Sequence, residues 1–316
     1  MFQHIAVPLD GSALAESVMP FLGALARAFP VAATLIRVLE KVQVEGCTQP
    51  VDPLEWQICK AEAESYLERM KRRAQDLGLR AEAALLEGDP AQRITEFIHS
   101  RPIDLLASSS HGRGGFTGWN TGGVIQKVID RARISVLVVP AYRPAAAEGW
   151  PFRRVLVPLD GSNRSECVLP LLMRLHRVSA LEVLLAHVVR VPEMPRRPLP
   201  APADRELADR IVQRNREEAA AWLESIRARF DRNARVQLLV SEDVAASLHD
   251  LSRDEKADLV VLSAHGYAGN SRWAYGSVAT SFLGYSTSPL LVVQDVASQR
   301  VPPSDAEVAA AEIKGH

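Results

Sequence analysis

The chain has 316 residues, of which 47% are hydrophobic and 24% are charged, and its formal net charge at pH 7 is -1. This length is typical of about two globular domains, each large enough to bury a full core. A nearly neutral chain offers no electrostatic footprint for nucleic acid or for a membrane surface, so both classes of partner are disfavoured. The longest apolar runs are far shorter than the roughly 20 residues that a membrane-spanning helix needs.

The N-terminal residues and the cysteines bear on the cellular location. A strand pattern, HIAVPLD, begins at His4 and leaves no room for the regions of a secretory signal. Cys47, Cys59 and Cys167 are odd in number, widely separated and in no metal-ligating spacing. We therefore expect a reduced cytoplasmic protein with incidental thiols and no metal site.

The chain contains a tandem repeat. The segment HIAVPLDGSALAESVMPFL, from His4, aligns with RVLVPLDGSNRSECVLPLL, from Arg154. A repeat unit of this length is a whole domain and too long for a solenoid module. We predict a first domain over residues 1–145, a second over 146–297 and a C-terminal tail over 298–316. The proline-rich stretch at 191–202 is interpreted as a structural loop of the second domain.

Within each unit, short apolar runs alternate with helical patterns, which predicts βαβ units and a parallel sheet covered on both faces. Five strands are expected in each unit. Those of the first unit are predicted at Ile5–Leu9, Thr34–Leu39, Ala81–Leu86, Ile103–Ser108 and Val136–Val139.

A long helix is predicted between the second and third strands of each unit. In the first unit Asp52, Pro53 and Glu55 have the pattern of an N-cap, a first-turn proline and a capping-box partner. The apolar residues expected on its buried face are Leu54, Ile58, Ala61, Leu67, Met70, Ala74 and Leu77. The helix of the second unit is expected from about Asp204 to Phe230, with Leu207, Ile211, Trp222, Ile226 and Phe230 on the corresponding face.

A glycine-rich loop also occurs twice. The segment SSHGRGGFTGWNTGGVI spans residues 109–125, and SAHGYAGNSRWAYGSVA spans residues 263–279. Each follows a buried-strand pattern and leads into a helix, an arrangement that binds phosphate through unpaired backbone N–H groups and the helix dipole. Nine residues separate Gly266 from Gly276, and Ser277 follows directly. The first copy keeps Gly112 and Gly122 at the same spacing.

Taken together, VPLDGS, the apolar strand LLAHVV and HG followed by nine residues and GS resemble the universal stress protein family in tandem form. The resemblance covers nearly the whole chain. It implies an α/β fold of two doubly wound domains, each a five-stranded parallel sheet of strand order 3-2-1-4-5 with helices on both faces. The ligand crevice would then lie between the first and fourth strands.

The resemblance also implies site residues. In the second domain Asp160 and Val188 would contact adenosine, while Gly266, Gly276 and Ser277 would hold phosphates. The equivalents in the first domain are Asp10, Val38, Gly112 and Gly122. Both copies depart from the nucleotide-binding pattern at its first glycine, where Ser109 and Ser263 stand, and the first copy departs again at Gly123. We therefore expect stronger binding in the second domain.

Other interpretations of the recurring polar residues stay open. Asp10 and Asp160 could start a turn or cap the next helix, and either role is compatible with a contact to ribose. His111 and His265 recur beside the loops and favour a loop-shaping or phosphate-facing role over general acid–base catalysis, because no partnered nucleophile is identifiable.

The sequence thus predicts a cytoplasmic stress-response protein that binds ATP or a related adenine nucleotide, with or without Mg²⁺, and acts as a binding or signalling module. At most slow ATP hydrolysis is expected, since no catalytic residues are identifiable. The alternative is a nucleotide-free adaptor for a protein partner, built as a pseudo-dimer within the chain. The last strand of each unit, Val136–Val139 and Pro289–Val293, is expected to pair at its edge, within the chain or in a homodimer.

Overall fold

The computed structural model describes residues 2–40, 52–111, 123–141, 152–179, 181–192, 202–230, 233–267 and 273–295. Several features singled out in the sequence lie outside these residues. They are Cys47, Gly112, Gly122, most of the join at 141–151, most of the proline-rich stretch and the C-terminal tail.

Each half of the chain forms five parallel strands, as predicted. The strands of the first half are β1 His4–Pro8, β2 Ala32–Leu39, β3 Arg80–Glu87, β4 Leu105–Ser109 and β5 Ser135–Val139. Those of the second half are β6 Arg154–Pro158, β7 Glu182–Arg190, β8 Ala234–Ser241, β9 Leu259–Ser263 and β10 Leu290–Val293. The predicted order is confirmed in both halves, because the sheet runs β3-β2-β1-β4-β5 and then β10-β9-β6-β7-β8.

Helices cover both faces of this sheet. In the first half they are α1 Met19–Ala28, α2 Pro53–Asp76, α3 Pro90–His99 and α4 Gly123–Ala132; in the second half they are α5 Leu169–Val178, α6 Pro202–Arg227, α7 Val244–Asp254 and α8 Ser277–Tyr285. Short 3-10 helices, Ala15–Val18 and Ser165–Val168, precede α1 and α5. One core contains residues of α1, α2, α5 and α6, and the other contains residues of α3, α4, α7 and α8. Each core therefore extends across both halves.

The two halves join through their last strands. Strands β5 and β10 pair antiparallel, with Leu137 opposite Leu291, so that one ten-stranded sheet results. The sequence left open whether the last strands pair within the chain or in a homodimer, and the structure shows the pairing within the chain. Strand β10 begins directly after Pro289, which has no N–H to donate. On one face of the sheet Arg174 of α5 adds a contact, since its Nε donates to the Ala28 carbonyl at 2.6 Å.

The predicted buried face of the two long helices is wrong in its N-terminal half. In α2 the side chains of Leu54 and Ile58 are 67% and 51% exposed, whereas the buried residues are Ala63, Tyr66, Leu67, Met70 and Ala74. The cause is the length of the helix. A helix of 24 residues spans about 36 Å, whereas a strand of eight residues spans about 26 Å, so the N-terminal part of α2 extends past the sheet. In α6, Leu207 and Ile211 are exposed for the same reason.

Two leucines of α2 test this difference. The Leu67→Ala variant should lower the free energy of unfolding by about 2–5 kcal/mol, because Leu67 is buried and its truncation leaves a cavity. The Leu54→Ala variant should change it by less than about 0.5 kcal/mol, as exposed positions do. Urea denaturation of both variants measures the difference, and equal losses would contradict the exposure of the N-terminal half of α2.

Candidate functional site

A cavity lies in the second half, at the carboxyl ends of β6 and β9, where the winding direction of the sheet reverses. Its volume is about 400 Å³. Its walls come from the loop after β6, the loop after β9, and residues of β7, α7 and α8. The structure brings all seven residues predicted for the second domain to these walls: Asp160, Val188, Ser263, His265, Gly266, Gly276 and Ser277.

One wall of the cavity is apolar. Val188 of β7, Leu262 of β9 and Leu248 of α7 are buried side chains that also belong to the core on this face of the sheet. Val244, at the start of α7, adds to the same wall. A cavity with these walls suits the flat apolar part of a small ligand, with a few polar groups fixing its orientation.

Asp160 forms the turn that follows β6. Its Oδ1 accepts hydrogen bonds from the Ser162 amide at 3.0 Å and the Ser162 hydroxyl at 2.6 Å, while Gly161 supplies the positive φ of 87°. Asp10 accepts from the Ser12 amide in the same way. Of the two local roles left open for these aspartates, the turn is the one observed. Neither aspartate is the N-cap of the next helix, because the N-cap positions of the two 3-10 helices are Leu14 and Arg164.

Asp160 also holds the glycine-rich loop. Its Oδ2 accepts from the Tyr267 amide at 2.5 Å, and a Cβ atom at Gly266 would overlap this oxygen. The loop can approach Asp160 so closely only because residue 266 is glycine. Burial would raise the pKa of Asp160, but the hydrogen bonds from Ser162 and Tyr267 outweigh it and hold the pKa below the ordinary value. The carboxylate is therefore charged at neutral pH.

Helix α8 points its first turn at the cavity. Gly276, Ser277, Val278 and Ala279 all line it, and no side chain caps the helix N-terminus. The Gly276 amide is not available to a ligand, because it donates to the Ala264 carbonyl at 2.7 Å. The anion-binding capacity of this end lies in the amides of the first turn that follow.

His265 lies buried beneath the loop with both ring nitrogens engaged. Its Nδ1 is 2.6 Å from Asp295 Oδ1, and its Nε2 is 2.7 Å from the Trp273 carbonyl oxygen. A carboxylate and a carbonyl can only accept, so both nitrogens donate and the ring is an imidazolium. The hydrogen bond to Asp295 raises the pKa of His265 above its ordinary value, although burial opposes the shift. Arg164 lies 3.5 Å from the other oxygen of Asp295.

The serines that replace the first glycine have the same role in both halves. Ser263 Oγ donates to the His265 carbonyl at 2.6 Å, and Ser109 Oγ donates to the His111 carbonyl at 2.9 Å. Both are buried. Each hydroxyl thus braces the start of its loop, a contact that the departure from the family pattern did not reveal.

The site predicted in the first domain is described only in part, because Gly112 and Gly122 lie outside the described residues. Asp10 forms the turn after β1, Val38 is half-buried against the core, and Gly123 begins α4. His111 is buried, with its Nδ1 2.9 Å from the Ser110 hydroxyl. The position that corresponds to Asp295 is Ala141, so the carboxylate partner of His265 has no counterpart here.

Comparison with known proteins agrees with this architecture. The model of the universal stress protein family matches residues 1–140 and again residues 151–294. The chain belongs to the universal stress protein family.

Individual universal stress proteins match as well. The universal stress protein MJ0531 of Methanocaldococcus jannaschii is 27% identical over 144 residues, which are 44% of this chain and 82% of that protein. The crystal structure of a putative universal stress protein from Pseudomonas aeruginosa UCBPP-PA14 has a TM-score of 0.66 at 13% identity, covering 100% of this chain and 98% of that one. A universal stress protein in complex with cAMP matches with a TM-score of 0.35 at 20% identity, covering 44% of this chain and 98% of its own.

Sequence comparison between the repeats missed three residues around the site of this universal stress protein. Tyr275 lines the cavity, Gln294 bonds the Ala274 carbonyl, and Asp295 pairs with His265. Their counterparts in the first repeat are Thr121, Pro140 and Ala141. A search for shared residues passes over such positions.

Across the described ranges, no helix is long and apolar enough to cross a membrane, and no three His, Cys, Asp or Glu residues form a group that could hold a metal ion.

The buried pair of His265 and Asp295 should make stability depend on pH. A His pKa that is higher in the folded state contributes stability below the ordinary pKa of about 6.5, and this contribution is lost as pH rises through the folded-state pKa. The unfolding free energy of the wild type, relative to Asp295→Asn, should therefore be largest near pH 6 and decrease at higher pH. The neighbouring Cys167 stays protonated in this range, since burial and then Asp295 raise its pKa to about 12.

Urea denaturation of both proteins between about pH 5.5 and 9 measures this difference. A difference that grows with pH would contradict the imidazolium assignment.

Proposed function

We propose that the second domain binds ATP or a related adenine nucleotide, and that the protein is a cytoplasmic stress-response protein acting as a nucleotide-dependent binding or signalling module. One observation carries the proposal. An apolar wall, a charged carboxylate and an uncapped helix N-terminus line the same cavity of about 400 Å³ at the switch point of the sheet. This volume lies within the range of small-molecule sites.

The adenosine part of the ligand would lie against the apolar wall of the cavity. Val188, Leu248 and Leu262 offer an apolar surface to a base. The oxygens of Asp160 accept from Ser162 and Tyr267, and a carboxylate has about four acceptor positions in all. These are three hydrogen bonds, so about one acceptor position remains for a ribose hydroxyl, which is a hydrogen-bond donor.

The phosphate part fits the start of α8. The amides of Ser277 and Val278 and the Ser277 hydroxyl can donate to phosphate oxygens, and the helix dipole favours their negative charge. Among the described lining residues Asp160 is the one carboxylate, so a Mg²⁺ ion would be held chiefly by the phosphates of the nucleotide. When bound, such an ion would neutralise phosphate charge.

The cavity supports binding rather than rapid turnover. His265 is the imidazole in its wall, but both of its nitrogens donate hydrogen bonds to the protein. A general base needs a free lone pair within reach of the proton that it removes. His265 is therefore not placed to activate water, and any hydrolysis of ATP at this site would be slow.

A nucleotide-free adaptor is the second candidate, and two exposed rings at the rim of the cavity favour it. Tyr267 is 88% exposed and Trp273 is 71% exposed. Exposed aromatic rings are typical of sites that bind a protein partner. Equilibrium dialysis with labelled ATP separates the two functions, because an adaptor of this kind would retain no nucleotide even at millimolar ATP.

Gly266 offers a sharp test of the nucleotide site. The Gly266→Ala variant should bind labelled ATP at least about tenfold more weakly, because the added methyl group displaces the loop from Asp160 and breaks a charge-assisted hydrogen bond worth about 1.5–3 kcal/mol. The control is Gly284→Ala on α8, where an added Cβ meets no atom within 4 Å. Equal affinities of the two variants would contradict the proposed site.

The helix N-terminus can be tested against the corresponding position of the first domain. The Gly276→Val and Ser277→Ala variants should weaken nucleotide binding, because they narrow the phosphate end of the cavity or remove a donor. The Gly122→Val variant should weaken it less, since the second domain keeps the Gly-Ser pair. If Gly122→Val proves the more damaging in equilibrium dialysis, the nucleotide lies in the first domain instead.

A further inference from the structure

Residues 273–276 form the end of the glycine-rich loop of the second domain and are here called the exit segment. The backbone of the exit segment is bound at Trp273, Ala274 and Gly276. The Trp273 carbonyl accepts from His265, the Ala274 carbonyl accepts from Gln294 Nε2 at 3.2 Å, and the Gly276 amide donates to Ala264 at 2.7 Å. The exit segment leads directly into the uncapped end of α8, so its position sets the position of that helix end.

Two of the residues that fix the exit segment are themselves bound to the first domain. The Tyr275 hydroxyl donates to the Ile134 carbonyl at 2.8 Å, and the backbone N–H of Gln294 donates to Ser135 Oγ at 3.0 Å. Ser135 is the first residue of β5 and Ile134 directly precedes it, on the other side of the β5–β10 pairing. The ring of Tyr275 is buried in the core that both halves share, and it also lines the cavity.

We infer that the first domain acts as a positioning platform for the nucleotide site of the second domain, with Tyr275 and Gln294 as the positioning residues that transmit its hold on the exit segment. The effect on ligand affinity rests on the function proposed above. The hydrogen bonds that fix the exit segment do not depend on that function, because they exist in the protein without ligand.

The residues that make these two hydrogen bonds are replaced by other residue types at the corresponding positions of the opposite repeat. Gln294 corresponds to Pro140, which has no N–H and therefore cannot make the reciprocal hydrogen bond to the second domain. Ser135 corresponds to Pro289, which has no hydroxyl, and Tyr275 corresponds to Thr121, which has no ring. The residue types at these three positions exclude a symmetric exchange of the same contacts. The domain with the weaker nucleotide pattern thus supports the domain that keeps Gly276 and Ser277.

The test uses the full-length chain and two variants on opposite sides of the contact. Tyr275→Phe keeps the ring and removes the hydroxyl, while Ser135→Ala removes the acceptor in the first domain. Neither Ile134 nor Ser135 lines the cavity. The matched controls are Tyr285→Phe, an exposed tyrosine on α8, and Thr95→Val, whose buried hydroxyl bonds within α3. Ser135→Thr keeps the hydroxyl and serves as the rescuing variant.

Hydrogen exchange followed by mass spectrometry, without nucleotide, measures the hold on the exit segment. A peptide covering residues 273–277 should exchange faster in Tyr275→Phe and Ser135→Ala than in the wild type, the controls and Ser135→Thr. Urea denaturation of each variant separates this local effect from a loss of global stability. Unchanged exchange of this peptide in both variants would overturn the inference, whether or not the protein binds nucleotide.

Equilibrium dialysis with labelled ATP then measures the consequence for the site. The two variants should bind about three- to tenfold more weakly, as expected for the loss of one hydrogen bond. Faster exchange with unchanged affinity would overturn the role as a platform for the ligand site. If the wild type itself binds no nucleotide, the proposed function fails, and the hold on the exit segment is decided by hydrogen exchange alone.

Discussion

The rest of the structure depends on the antiparallel pairing of β5 and β10. Without it each half would expose the edge of a five-stranded sheet, which is a ready template for pairing with another chain. With it the two edges satisfy each other, and the two cores continue across the boundary between the domains. The same pairing brings the start of β5 beside the end of β10. The residues that follow β10 therefore lie between the first domain and the glycine-rich loop of the second.

The described ends of the glycine-rich loop of the second domain are held by side chains, in addition to the backbone hydrogen bond from Gly276 to Ala264. Asp160 binds its beginning, and His265 and Gln294 bind its end. His265 can remain charged in the interior because Asp295 accepts from its Nδ1, although the positive charge of the nearby Arg164 opposes this. An unpaired buried charge would be costly, so these partners depend on each other. A site with fixed donors and acceptors needs little reorganisation when a ligand enters.

Much of this architecture was predictable from the sequence, because its causes are local. The strands are continuous apolar runs, as parallel strands buried on both faces must be, and the repeat fixed the position of both loops. The exposure of the N-terminal half of α2 was not predictable, since amphipathic spacing does not show where the sheet beneath a helix ends. Asp295 and Tyr275 were missed for a related reason. Their contacts join segments far apart in sequence, and their counterparts Ala141 and Thr121 differ from them.

The two repeats can differ at corresponding positions because they are fused in one chain. In a homodimer of identical single-domain subunits, every position is the same on both sides of the two-fold axis. Such a dimer cannot place a proline on one side and a hydrogen-bond donor on the other at the same position, as Pro140 and Gln294 are placed here. Fusion into one chain removes that constraint, because each copy can change alone. A symmetric homodimer would have hydrogen bonds such as those from Tyr275 to Ile134 and from Gln294 to Ser135 on both sides of its axis or on neither. The fused chain can have them on one side.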